Sequence, residues 1–149
     1  ILSVRREARP VLALIGDIEP GLFRRLVALG TRTTHATPAV LTREGEAPDA
    51  LWFVVSGTLR LERRGQAPAT LHGPCFIGDI AWLNGGAASA TITSVPGADI
   101  IRWPHLRLNR AVRRSHRLEI ALEAVLARDI ARKLGRSAPI APPVAMGGD

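Results

Sequence analysis

The spacing of apolar positions changes twice along the chain. Over residues 1–30, Leu12, Ile15, Leu22, Leu26 and Leu29 recur near a helical period, around a break at Gly16-Asp17. This spacing predicts helix within residues 10–30. Pro20 suits the first turn of a helix over 20–29, and Gly30 suits its stop. From Thr31 to Trp103 the pattern becomes short runs of Val, Ile, Leu, Thr and Trp, punctuated by Pro38, Gly45, Pro48, Gly57, Gly65, Pro68, Gly73-Pro74, Gly85-Gly86 and Pro96-Gly97. Strand-like runs between turn signals about every ten residues indicate roughly eight antiparallel strands. Leu59 and Leu61 alternate with Thr58, Arg60 and Glu62, so that strand has one wet face. Leu51 to Val55 is continuously apolar and predicts a strand covered on both faces.

After Pro104 the helical period returns. Pro104 opens a helix over 104–114, and Ser115 caps a second over 116–134. Leu118, Leu122, Leu126, Ile130 and Leu134, with Ala121 and Val125, form one long apolar stripe that Gly135 ends. The stripe is longer than one barrel end needs, which predicts a homodimer through residues 116–134. The expected fold is therefore α+β: an antiparallel eight-stranded β-roll or jelly-roll barrel over residues 31–103, flanked by N-terminal helices (10–30) and C-terminal helices (104–135). Residues 1–136 form one domain. The tail 137–149 has no period and is expected to be disordered.

Composition narrows the function classes. A chain of 149 residues with 46% hydrophobic and 22% charged residues is an ordinary globular domain. Its longest apolar runs, Val11 to Ile15 and Leu51 to Val55, are far too short to cross a bilayer. A lone Cys75 forms no internal bridge, which fits a reducing, cytoplasmic compartment. The chain opens on Ile1, so a trimmed piece is expected, and an upstream membrane tether would make it the cytosolic part of a membrane protein. The net charge of +7 raises nucleic acid as a partner. The arginines are scattered, however, aromatic residues are only 4%, and Lys133 is the only lysine. No stacking platform or basic stripe emerges, and nucleic-acid binding through this chain is not expected.

No catalytic constellation is visible. His35, His72, His105 and His116 lack the spacing of a metal site, so no metal is expected. There is no nucleophile elbow and no nucleotide-binding glycine fingerprint. Cys75 reads as a small buried hydrophobe. One stretch stands apart: Phe76-Ile-Gly-Asp-Ile-Ala-Trp-Leu-Asn-Gly-Gly-Ala-Ala-Ser-Ala-Thr-Ile-Thr93. A strand ends at a glycine, a short helical turn follows, and a Gly-Gly break leads into a Thr-rich strand. Such a turn presents amide N–H groups and an acidic first residue, which suits either a phosphorylated sugar or a plain plug at one barrel end.

The run from Val40 to Leu61, with Glu44-Gly-Glu46 and Asp49-Ala-Leu-Trp-Phe-Val54, resembles the front half of a cyclic nucleotide-binding domain. Residues 76–93 resemble that family's phosphate-binding cassette. Pro74-Cys-Phe-Ile77, Ile101-Arg-Trp103 and Asp129-Ile-Ala-Arg-Lys-Leu134 are similar to stretches of Popeye-type domains. The resemblance implies a non-catalytic sensor domain with no cofactor, binding cAMP or a related small anion through Ile77, Gly78, Asp79, Ile80, Ala81, Ala88, Ser89, Ala90 and Thr91. Asp79 stands at the glutamate that accepts the ribose hydroxyl in the family, and Ala88 at the arginine that forks onto the cyclic phosphate. Ser89 and Thr91 would supply part of what that arginine lacks. The alternative is a degenerate, ligand-free fold that serves as a dimerisation or docking module.

Overall fold

The computed structural model describes residues 18–137, with side chains through residue 135. The expected helical turns before residue 18 and the tail beyond residue 137 lie outside the described residues. The first helix, α1 (Pro20–Leu29), carries proline in its first turn, and the N–H of Gly30 closes it onto the Val27 carbonyl. Gly30 must remain glycine for lack of room: a Cβ there would sit 2.5 Å from Ile101 and 2.8 Å from the Trp103 indole nitrogen.

Eight strands follow: β1 (Thr31–Thr34), β2 (Val40–Thr42), β3 (Ala50–Ser56), β4 (Thr58–Glu62), β5 (Ala69–His72), β6 (Cys75–Ile77), β7 (Thr91–Ser94) and β8 (Asp99–Pro104). They form two four-stranded sheets, ordered β1-β8-β3-β6 and β2-β7-β4-β5. Every paired strand is antiparallel. The expected β-roll is thus observed, as two facing sheets rather than a closed barrel. A helical turn, α2 (Asp79–Asn84), separates β6 from β7, and α3 (His105–Arg114) and α4 (His116–Ser137) complete the described chain.

Strand β3 shows why the roll forms. Its continuous apolar run feeds two cores by alternation. Leu51, Phe53 and Val55 face α1, α3 and α4, beside Phe76, Trp103 and the buried Leu118, Leu122, Val125 and Leu126. Ala50, Trp52 and Val54 fill the space between the sheets with Leu59, Ile77, Ile92 and Ile100. Trp103 ties the helical core together, because its indole N–H donates to the Leu26 carbonyl at 2.7 Å.

Two boundaries differ from the sequence reading. Pro104 ends β8 and precedes α3 rather than opening it. Helix α4 runs through Gly135 to Ser137, since a glycine inside a helix only weakens it and no left-handed stop forms there. Much of the apolar stripe of α4 packs inside the chain: Leu118, Leu122, Val125 and Leu126 are buried in the helical core, while Leu134 at its far end is exposed. Ser115 caps α4 as expected, its hydroxyl accepting the Leu118 N–H at 3.2 Å.

Candidate functional site

The site begins where β6 runs out. Gly78 adopts φ +83°, a left-handed turn, and a Cβ there would lie 3.2 Å from the Ala50 carbonyl and 3.5 Å from the Trp52 ring. Glycine alone meets both demands. The turn aims α2 across the mouth of the roll, with Asp79 as its first residue. Gly85 and Gly86, both at positive φ, then reverse the chain toward β7. Residues 44–46 fasten the returning strand: the Gly45 N–H donates to the Ala88 carbonyl and the Ala88 N–H donates to the Glu46 carbonyl, each at 2.9 Å.

These segments wall a cavity of about 560 Å³, a size typical of small-molecule sites. Ile77, Gly78, Asp79, Ile80, Ala81, Ala88, Ser89 and Ala90 all line it. Of the residues expected at the site only Thr91 is absent, because its hydroxyl turns away and accepts the Glu44 N–H at 3.0 Å. Leu61, Leu71, Cys75 and Ile92 give the cavity an apolar floor, and Arg63, Arg132 and Lys133 bring cations to its wall.

Helix α4 holds the polar end. Strand β6 is an edge strand, bonded to β3 on one side only, and its other edge needs partners. Side chains of α4 provide them. The Phe76 N–H donates to Asp129 Oδ2 at 2.9 Å, Lys133 Nζ donates to the Phe76 carbonyl, and Arg132 Nη2 donates to the Pro74 carbonyl at 3.0 Å. The same lysine joins the two carboxylates, at 3.1 Å from Asp79 Oδ2 and 3.0 Å from Asp129 Oδ2. Asp129 is fully buried and Asp79 nearly so.

Burial pushes the Asp79 carboxyl above its ordinary range, and the Lys133 ammonium beside it offsets only part of that shift. Burial also opposes the charge on Lys133, but Asp79 and Asp129 together outweigh it and hold its pKa above the usual lysine value. Both oxygens of Asp79 are already engaged: Oδ2 takes the lysine and Oδ1 accepts the Ile80 N–H at 3.1 Å.

Sequence reasoning missed Lys133, Arg132 and Asp129 as site residues. Two signals were available. Asp129 follows Val125 and Leu126 on the apolar stripe, where a carboxylate demands a partner, and Lys133 lies four residues beyond it.

Cys75 behaves as the sequence reading expects. It is buried, and burial pushes its thiol up to about 12. The thiolate that would attack an alkylating reagent is then scarce at neutral pH. Thiol titration of the native protein at pH 8 is expected to be slow and to become complete on unfolding; immediate stoichiometric reaction would contradict this burial.

Among the described residues no cluster of His, Cys, Asp and Glu could hold a metal ion. No helix there is long and apolar enough to cross a membrane.

The sequence profile of the cyclic nucleotide-binding domain matches residues 34–115, more than half of the chain. The chain belongs to the cyclic nucleotide-binding domain family. Solved structures of similar fold include a Thermus thermophilus catabolite activator protein, 22% identical with a TM-score of 0.63 over 83% of this chain and 60% of that one. A cyclic nucleotide-binding domain from Methylobacillus flagellatus is 14% identical, with a TM-score of 0.67 over 96% of this chain and 89% of that one. The regulatory domain of Toxoplasma gondii PKA, solved with cAMP, is 20% identical, with a TM-score of 0.55 over 65% and 39%. At such identities the likeness is one of fold. The chain spans 60% of the catabolite activator protein's length. No curated protein sequence matches it.

Proposed function

We propose that this chain is a non-catalytic regulatory domain whose cavity takes a cyclic nucleotide of the cAMP class. The observation that carries this reading is the cavity itself, walled by the cassette segments 77–81 and 88–90. Its apolar floor suits a base, and its polar end, at Asp79, suits a phosphorylated sugar. Popeye-type kinship belongs to the same proposal. Its support is that two of the stretches concerned, Pro74–Ile77 and Asp129–Leu134, are the two sides of one contact between β6 and α4. A cytoplasmic setting also belongs to it, resting on the lone, protonated Cys75. So does pairing of two copies through residues 116–134, which would draw on Ile120 and Leu134, the exposed large apolar residues of α4.

Isothermal titration with cAMP tests the proposal. Micromolar to sub-millimolar binding is expected, and the cassette supplies a sharper version of the test. Ala88 lines the cavity and contributes no charge. Ala88→Arg should tighten cAMP binding by about tenfold or more, the gain of one charge-assisted fork. If neither the parent chain nor Ala88→Arg binds cAMP at millimolar concentration, the docking-module alternative replaces this reading.

A further inference from the structure

We infer that the anionic group of the ligand is received outside the cassette, by a clamp of Arg63 from the β4–β5 turn and Arg132 from α4. This inference rests on the reading of the cavity as a ligand site and names the residues that supply its charge complementarity.

The cassette cannot neutralise an anion by itself. Ala88 has no charge, and its backbone N–H is already spent on the Glu46 carbonyl. The Ile80 N–H is likewise taken by Asp79. Lys133 is engaged by two buried carboxylates and a carbonyl. A phosphate entering the cavity would meet the Asp79 carboxylate with nothing in the cassette to offset it.

The register of the second sheet brings a guanidinium to the gap. Glu62, the last residue of β4, pairs with Thr91, and the Arg64 N–H donates to Glu44 Oε1 at 2.9 Å. Glu44 in turn bridges Ala88. The turn that begins at Arg63 is thereby pinned beside residues 88–91, where the cassette has no cation. Arg63 lines the cavity and is exposed, so its guanidinium can turn inward without leaving another partner unpaired.

Arg132 stands in the wall formed by α4. Its Nη2 is held by the Pro74 carbonyl and, at 3.4 Å, by Asp129 Oδ1. Its Nε is buried and has no hydrogen-bond partner. A buried, unanswered donor on a cation at a cavity wall is the signature of a site awaiting an acceptor. Asp79, Asp129 and Glu44 are the carboxylates nearby; the first two share Lys133, with Arg132 as the second cation at Asp129, and Glu44 Oε1 accepts the Arg64 N–H. Two guanidiniums lining one cavity suit a phosphodiester or another compact anion, each offering a planar fork.

Titration of cAMP and of adenosine, which lacks the phosphate, into the parent chain, Arg63→Gln, Arg132→Gln and the double variant tests the clamp. The parent chain is expected to bind cAMP about tenfold or more tightly than adenosine, each single variant to lose much of that preference, and the double variant to lose all of it. Raising the salt should weaken cAMP binding and leave adenosine binding unchanged. Arg63 lies on an exposed turn, so its variant reports on charge even if loss of Arg132 loosens α4. If cAMP binds and both variants keep the parent's preference over adenosine, the clamp is wrong while the cavity reading stands. If neither compound binds the parent chain at millimolar concentration, the cavity reading fails and the clamp with it.

Discussion

Lys133→Met is expected to lower the unfolding free energy by about 3 kcal/mol, at the lower end for a broken buried ion pair because the lysine keeps some exposure. The lysine is the shared counter-ion of Asp79 and Asp129, whose side chains are 7% and 0% exposed, and it also answers the Phe76 carbonyl. Methionine fills a similar volume but leaves two buried carboxylates with Arg132 as the remaining cation at Asp129. Adding Asp79→Asn to Lys133→Met should recover part of the loss by removing one stranded charge. Urea denaturation of the single and double variants measures both effects. A loss well under about 1 kcal/mol, the range of exposed pairs, would mean that water already solvates this cluster.

The second large effect lies at the other end of the helical core. Trp103→Ala should cost about 3–5 kcal/mol, since the side chain is fully buried between sheet and helices and its removal leaves a cavity. Trp103→Phe keeps the ring but strands the Leu26 carbonyl, which accepts the indole N–H. An unpaired buried acceptor costs about 1–3 kcal/mol, so the Phe variant should fall between the parent and Ala. Equal loss in the two variants would argue that the hydrogen bond, not the packing, holds α1 onto β8.

The cassette illustrates how far a linear reading reaches. Its Gly78 turn, the short helix after it and the Gly85-Gly86 reversal are local events, set by residues that tolerate positive φ and by a few neighbours in sequence. They were legible in the chain, as was the placement of all but one of the residues expected around the cavity. Thr91 does not line the cavity, because a strand's side chains alternate and its hydroxyl accepts the Glu44 N–H instead. Asp79 was legible as an acid at the cassette but not as a lysine's partner, because Lys133 is 54 residues away.

The same division holds for the whole molecule. The fold class, the β-roll boundaries near residues 31 and 103, the helices on either side of it and the cavity's first wall could be read from the order of residues alone. Each depends on a hydrophobic period or a backbone-permissive residue that acts over one turn or one strand. What faces what came from long-range packing. It placed most of the α4 stripe on the chain's own core, capped the open edge of β6 with Asp129, Arg132 and Lys133, and brought Arg63 to the same cavity as Ala88. Such partnerships follow from strand register and helix docking, which depend on burying the whole apolar surface at once and leave little trace in the spacing of any one segment.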